Sequence, residues 1–378
     1  MRTRILVVLA LLAALHAYIG WRVIPDMPVG VGVQFACALW LMASLVLIPI
    51  GLLSRRSDGH SAGAERAAWA GLIALGMFSS LFVLTLLRDV LLLVAAIFGF
   101  HSGQLVADSA LAVPLIAAAV TLVGFINARR VARVVHVDVP IDGLPEALHG
   151  FTIAQISDIH VGPTIKRDYL EAIVERVNAL QADAVAVTGD LVDGRVHHLA
   201  EHTAPLAKLQ SRHGAFFVTG NHEYYSNAHE WIVEVERLGL HVLLNEHVVL
   251  NHEGEKVLMA GVTDYTAHHF DPAHKSDPHR AAAGAPSNVG VKILLAHQPR
   301  TAQQAADAGF DLQLSGHTHG GQFFPWNLFV PMQQPYVAGL KRLKQLWIYI
   351  SRGTGYWGPP KRFGAPSEIT KLRLVRGE

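Results

Sequence analysis

Four runs of apolar residues, Ile5–Ile24, Val29–Leu53, Ala67–Leu87 and Ser109–Asn127, constrain this chain more than any other feature. Each approaches or exceeds the roughly 20 residues an α-helix needs to cross the hydrocarbon of a bilayer. Lipid offers no partner to backbone N–H and C=O groups, so a spanning segment must satisfy them internally, as a helix does. Four spanning helices are therefore expected within residues 1–128. Arg2 and Arg4 precede the first run as in a signal peptide, but the run is too long for one and further spans follow, so it is expected to be retained. Val90–Phe100, cut off from the third span by Arg88 and Asp89, is too short to cross and reads as an interfacial or re-entrant piece.

Beyond these runs the composition changes. Over the whole chain of 378 residues 16% are charged, against roughly 25% in soluble proteins. The deficit lies in the first third. The expected organisation is a transmembrane region over 1–128, a linker over 129–147, partly strand-like at Val131–Val139, and a soluble domain over 148–378. The net charge of +1, with no basic stripe, speaks against nucleic acid as a partner. A single cysteine, Cys37, excludes a disulfide framework and a thiolate metal site. Arginines cluster before span one (Arg2, Arg4), between spans two and three (Arg55, Arg56, Arg66) and after span four (Arg129, Arg130, Arg133). In a four-span arrangement these share one side, which puts the soluble domain on the cytoplasmic side of an integral membrane protein.

In that domain β-rich runs at Phe151–Ile156, Ala184–Thr188, Ala215–Thr219, Val257–Val262, Lys292–Ala296, Leu312–Ser315 and Leu346–Ser351 alternate with helical stretches such as Asp168–Leu180 and His229–Leu238. That order is an α/β domain. His268–Arg280, rich in His, Asp and Pro, reads as a solvated surface loop.

Five motifs follow the expected strands in order: Asp158-Ile-His160, Gly189-Asp190-Leu-Val-Asp193, Gly220-Asn221-His222-Glu223, Leu295-Ala-His297 and Gly316-His317-Thr-His319-Gly320. Open α/β sheets bind ligands at these strand ends. Each motif alone is weak, but the ordered set suits a pair of cations. Two-metal hydrolases hold their ions about 3.5–4 Å apart, so one anionic ligand must bridge them. Asp190, on the Gly189 turn, is the natural bridge. Asp158 and His160, two apart in extended chain, project to the same side and can grip one ion. Asn221, His297, His317 and His319 add neutral oxygen and imidazole donors, a set suited to Mn, Fe or Zn and not to Ca. Two divalent ions against two carboxylates leave a positive site, as a phosphoryl group requires.

This series resembles the calcineurin-like metallophosphoesterase superfamily over about residues 148–375. The resemblance implies a four-layer αββα sandwich with a first metal on Asp158, His160, Asp190 and His319 and a second on Asp190, Asn221, His297 and His317. It implies that His222 protonates the leaving group or stabilises the transition state, oriented by Glu223, and that water activated between the ions attacks phosphorus in line. The segment 351–369 resembles the bacterial membrane-associated branch, which includes proteins active on UDP-2,3-diacylglucosamine. A phosphate-ester substrate (mono-, di- or pyrophosphate), a lipid-linked one included, and a bacterial inner-membrane location with membrane lipids as partners follow as expectations.

Other residues stay open. Asp193 reads as a support for the second motif, Arg352 as a phosphate contact or a salt-bridge partner, and Phe323, Trp326 and Trp357 as packing or as a lip for a lipid tail. The competing function is a membrane receptor or scaffold that binds a ligand without turnover. Such a site would usually have lost its bridging carboxylate or proton-donating histidine, and both Asp190 and His222 are present.

Overall fold

A computed structural model of the protein describes residues 2–54 and 62–377; Arg55, Arg56 and the side chains of Arg2 and Arg4, on which the orientation reading rests, lie outside the described residues. The chain divides into two compact units, Met1–Ile126 with Gly358–Lys361, and Asn127–Trp357 with Arg362–Glu378.

The first unit is built on α1 (Arg2–Val23), α2 (Val31–Ser54), α3 (Ala62–Ile97) and α4 (Gly103–Arg129), all long and apolar enough to cross a membrane. Val90–Phe100 is not a separate piece, because α3 runs through Arg88 and Asp89 to Ile97. The two charges that seemed to break it are paired across the unit. Arg88 donates to Asp26 at 2.7 Å and Arg22 to Asp89 at 2.8 Å, which removes much of the cost of charge beside lipid. Helices α2 and α3 meet at Gly51 and Gly71, where a Cβ on Gly51 would lie 2.7 Å from the Gly71 Cα. Small residues let helices approach closely where no hydrophobic drive separates protein from lipid. Lys361 belongs to this unit, its ammonium donating to the carbonyl of Gly76 (3.0 Å) and to the hydroxyls of Ser80 and Thr121.

Among the described residues the second unit holds twelve strands: β1 (Arg133–Ile141), β2 (Thr152–Ile156), β3 (Ala184–Val187), β4 (Ala215–Phe217), β5 (His241–Val242), β6 (Glu246–His252), β7 (Glu255–Gly261), β8 (Val291–Leu295), β9 (Leu312–Ser315), β10 (Gly339–Leu343), β11 (Leu346–Ile350) and β12 (Glu368–Arg376). They form two six-stranded sheets in the orders β1-β12-β2-β3-β4-β5 and β10-β11-β9-β8-β7-β6. Successive side chains on a strand face opposite sides. Thus Ile153, Ala184 and Phe216 meet Met259, Ile293 and Leu314 between the sheets. Ala154, Val185 and Phe217 face outward with residues of α5 (Arg167–Asn178), α6 (Val196–Thr203) and, beyond the short α7 (Asn221–Tyr225), α8 (Ala228–Arg237). On the far sheet Leu258 and Leu294 pack with α9 (Pro278–Ala282) and α10 (Ala302–Asp307). The result is the expected αββα layering.

The strand-like part of the expected linker is a strand. Residues 133–141 are strand β1, paired in parallel with β12 from Arg133↔Glu368 to Ile141↔Arg376. As an edge strand it is half exposed, so its alternation is blurred by polar residues. The 268–280 stretch is a loop of two short 3₁₀ turns leading into α9.

Candidate metal centre

The five motifs occupy the ends of β2, β3, β4, β8 and β9, all running parallel to a neighbour, so their C-terminal ends open at one rim. The backbone there is unusual. Asp158, His160, Asp190, His317 and His319 all adopt positive φ, between 51° and 71°. Non-glycine residues seldom enter this region, and it concentrates at functional sites where surrounding contacts hold it. Glycines supply the space: a Cβ on Gly189 would lie 2.6 Å from the Gly220 nitrogen and 2.8 Å from His297 Nδ1.

Beside a group of His160, Asp193 and His222, two donor clusters form around Asp158 and Asp190. In one, His160 Nε2 lies 3.0 Å from His319 Nε2, and His319 Nε2 lies 3.4 Å from Asp158 Oδ1. In the other, His297 Nε2 lies 3.2 Å from His317 Nδ1 and 3.3 Å from Asp190 Oδ2. Asp158, His160 and His319, and likewise Asp190, His297 and His317, each bring one donor atom within 4.8 Å of the others. Asp190 Oδ2 is also 3.9 Å from His160 Nε2, between the clusters. Asn221 is buried, and its Oδ1 has no hydrogen-bond partner. An orphaned buried carbonyl costs about 1–3 kcal/mol, which a cation would recover. These residues fit a pair of divalent ions.

The charges agree. Burial opposes ionisation of Asp190, but His297, His222 and His160 around it prevail and hold it well below the usual carboxylate range. Burial pushes Asp158 upward. Burial and the charge of His297 drive His317 down to about 3, and burial with Arg362 drives His319 below its ordinary value. Both imidazoles are thus neutral near pH 7, the form that binds metal. His297 is buried as well, but Asp190 and Asp158 raise it well above the ordinary value, so it holds a proton beside the carboxylates that a bound cation would displace.

The calcineurin-like phosphoesterase family matches residues 151–321. An uncharacterized metallophosphoesterase of Campylobacter jejuni is 34% identical over 301 residues, covering 78% of each chain. The chain belongs to the calcineurin-like metallophosphoesterases. A transmembrane protein with metallophosphoesterase domain from Danio rerio is 37% identical over 268 residues, covering 69% of this chain and 61% of that protein. A bovine protein of the same description is 38% identical over 272 residues, with the same coverage. The chain thus spans about three-fifths of the length of these two relatives. Among its described residues this metallophosphoesterase carries four helices long and apolar enough to cross a membrane.

In the phosphoesterase, His222 lies beside the clusters. Its Nδ1 is 2.5 Å from Asp193 Oδ1, which is also 3.1 Å from His160 Nδ1. Asp193 therefore orients two histidines at once. Glu223 does not hold His222, as the resemblance suggested. Its buried carboxylate accepts backbone N–H groups from Asp190 (3.0 Å), Leu191 (2.8 Å) and Gly220 (2.6 Å), tying together the two turns that present Asp190 and Asn221. Arg352 pairs with Glu368 at 2.9 Å, the salt-bridge reading. Phe323 is buried, whereas Trp326 and Trp357 are exposed. Sequence reasoning missed Arg362, fully buried, which donates to the His319 carbonyl at 2.9 Å and whose guanidinium lies 3.0 Å from His319 Nδ1. It also missed the Thr188 carbonyl, which accepts from His297 Nδ1 at 2.8 Å and leaves Nε2 directed at Asp190. Arg362 follows a Pro-Pro-Lys stretch with no motif of its own, and a carbonyl carries no side-chain signal.

Proposed function

We propose that this metallophosphoesterase cleaves the phosphate ester or pyrophosphate of an amphipathic, lipid-linked substrate such as UDP-2,3-diacylglucosamine, at a two-metal site on the cytoplasmic face of a bacterial inner membrane. The position of Asp190 Oδ2 between two donor clusters, 3.9 Å from His160 Nε2 and 3.3 Å from His297 Nε2, carries the hydrolytic part of this reading. Asp158, His160, Asp190 and His319 would hold one ion and Asp190, Asn221, His297 and His317 the other, with Mn, Fe or Zn suited to the donors. When bound, such a pair neutralises charge on the phosphoryl oxygens and acidifies water.

The chain's own groups complete the chemistry. Asp190 Oδ1 accepts the His222 backbone N–H at 2.9 Å, which fixes the carboxylate and leaves Oδ2 directed at the clusters. His222, tied through Nδ1 to Asp193, keeps Nε2 for the leaving oxygen and donates a proton to it. Tyr225 and Trp357 stand edge-on to the His222 ring at centroid distances of 5.1 and 5.9 Å and give that side of the cleft an apolar wall. Such a wall, in a chain with four membrane-length helices, supports an amphipathic leaving group.

The test supplies the full chain in vesicles with manganese, UDP-2,3-diacylglucosamine in the bilayer, and in parallel a soluble aryl phosphodiester. Turnover of both with a higher kcat/KM for the lipid is expected. Turnover of the aryl ester alone would contradict the lipid part, and turnover of neither would contradict the hydrolytic part.

A further inference from the structure

The stretch from Leu312 to Leu340 contains no Asp, Glu, Lys or Arg. Within it, two consecutive 3₁₀ turns, Trp326–Leu328 and Val330–Met332, expose Phe324, Trp326, Leu328, Phe329 and Met332, the last at 80% of its surface. Five large apolar side chains presented together to solvent are costly in water and mark a surface that something covers. The turns are not loose. Leu328, Phe329 and Met332 donate backbone N–H to the carbonyls of Pro325, Trp326 and Phe329, and the rings of Trp326 and Phe329 lie 5.7 Å apart.

Both ends of this loop are joined to the candidate metal centre. It begins directly after the His319–Gly321 turn, and Asn327 packs so closely on Gly321 that a Cβ there would clash with its backbone. At its far end Gln334 Nε2 donates to Gln298 Oε1 at 3.1 Å, beside His297. The first charged residues after the loop, Lys341 and Arg342, are basic and exposed, Arg342 pairing with Asp142 at 2.7 Å.

An uncharged turn with tryptophan and aliphatic tips, its polar backbone partly satisfied and basic residues next in sequence, has the composition of segments that seat in the headgroup–acyl boundary of a bilayer. Lys and Arg favour an anionic lipid surface. The chain that carries the loop also carries four helices of membrane-crossing length, and α4 ends at Arg129, only a few residues before β1 begins at Arg133. We infer that the Phe324–Met332 loop inserts its apolar tip into the bilayer surface, holding the mouth of the metal centre at the level of lipid headgroups whatever the substrate.

The experiment uses the full chain with Cys37→Ala, in nanodiscs of phosphatidylethanolamine and phosphatidylglycerol. A single cysteine is introduced as Leu328→Cys or Met332→Cys, or as Val233→Cys on the exposed face of α8 for control, and labelled with an environment-sensitive fluorophore. Nitroxides near the top of the acyl chains should quench the labels at 328 and 332 and leave that at 233 unquenched. In parallel, Leu328→Glu with Met332→Glu should keep turnover of a soluble aryl phosphodiester and lose the lipid quenching of a label at Phe329→Cys. Equal quenching at all three positions would overturn the inference. So would quenching at 328 and 332 by aqueous iodide alone, or quenching that appears only when two copies share a disc.

Discussion

The carboxylate of Asp193 accepts a hydrogen bond from Nδ1 of His222 at 2.5 Å. Burial disfavours the charged form of that ring, but Asp190 and Asp193 outweigh it and push His222 up to about 9. A proton donor works only while it carries its proton, so the rate is present below this pKa and lost as pH rises through it. Asp193→Asn removes one of the two carboxylates, and the basic limb of the kcat profile should move to lower pH. The profile is measured at saturating manganese, because His160 shares the same carboxylate; a limb that does not move would contradict the pairing.

His222 is absent from the groups of three around Asp158 and Asp190, although it forms a further group with His160 and Asp193 and its Nε2 lies 3.9 Å from Asp190 Oδ2. His222→Ala is therefore expected to retain the metal content of the wild type and to lose turnover by roughly 10²–10⁴-fold, the usual worth of a general acid. Metal analysis beside steady-state kinetics checks this. Loss of metal would make His222 a ligand.

Glu223 is buried with at least three backbone N–H groups on its two oxygens. Burial and the charge of Asp190 push Glu223 up to about 7, so the bonds are charge-assisted above that pH, where they are worth about 1.5–3 kcal/mol each, and a neutral amide would also turn an N–H towards those donors. Glu223→Gln should lower the stability of the catalytic unit by about 2–4 kcal/mol and weaken metal retention. Chemical denaturation in detergent, followed through Trp231, reads the first effect. An unchanged midpoint would contradict the role of Glu223 as a tie between the Asp190 and Asn221 turns.

In the helical unit, the close approach of Gly51 and Gly71 leaves no room for a side chain; a Cβ on Gly71 would lie 2.6 Å from the Gly51 Cα. Gly71→Val should force α2 and α3 apart and cost about 1–3 kcal/mol, the usual range for overpacking. A thermal shift of the full chain in detergent measures it, with Gly32→Ala, where nothing lies within 4 Å, as the neutral control.

How far these features could be read in advance depended on how local their cause is. The spans and the five motifs were legible, since a run of apolar residues and a strand followed by Asp, Asn or His carry their meaning within a few positions. The expected strand Leu312–Ser315 matches β9 residue for residue. Strand β1 was legible only as a strand-like stretch within a linker, because its partner, β12, lies more than 200 residues away and its edge position mixes polar and apolar residues. The continuity of α3 through Arg88 and Asp89 rests on Asp26 and Arg22 of another segment. At the site, residue identity suggested which groups gather but not who holds them. That Asp193 serves two histidines, that Glu223 binds amides, and that Arg362 braces His319 are facts of three-dimensional placement.

The central claim is that Asp190 joins two metal positions into one hydrolytic site. The most direct measurement is metal content and aryl phosphodiester turnover of the purified full chain, for the wild type and for Asp190→Asn, before and after chelation and manganese readdition. The expected result is two ions per chain in the wild type, with turnover lost on chelation and restored by manganese, and a joint loss of metal and turnover in Asp190→Asn. Full turnover by the stripped wild type, or by Asp190→Asn, would contradict it.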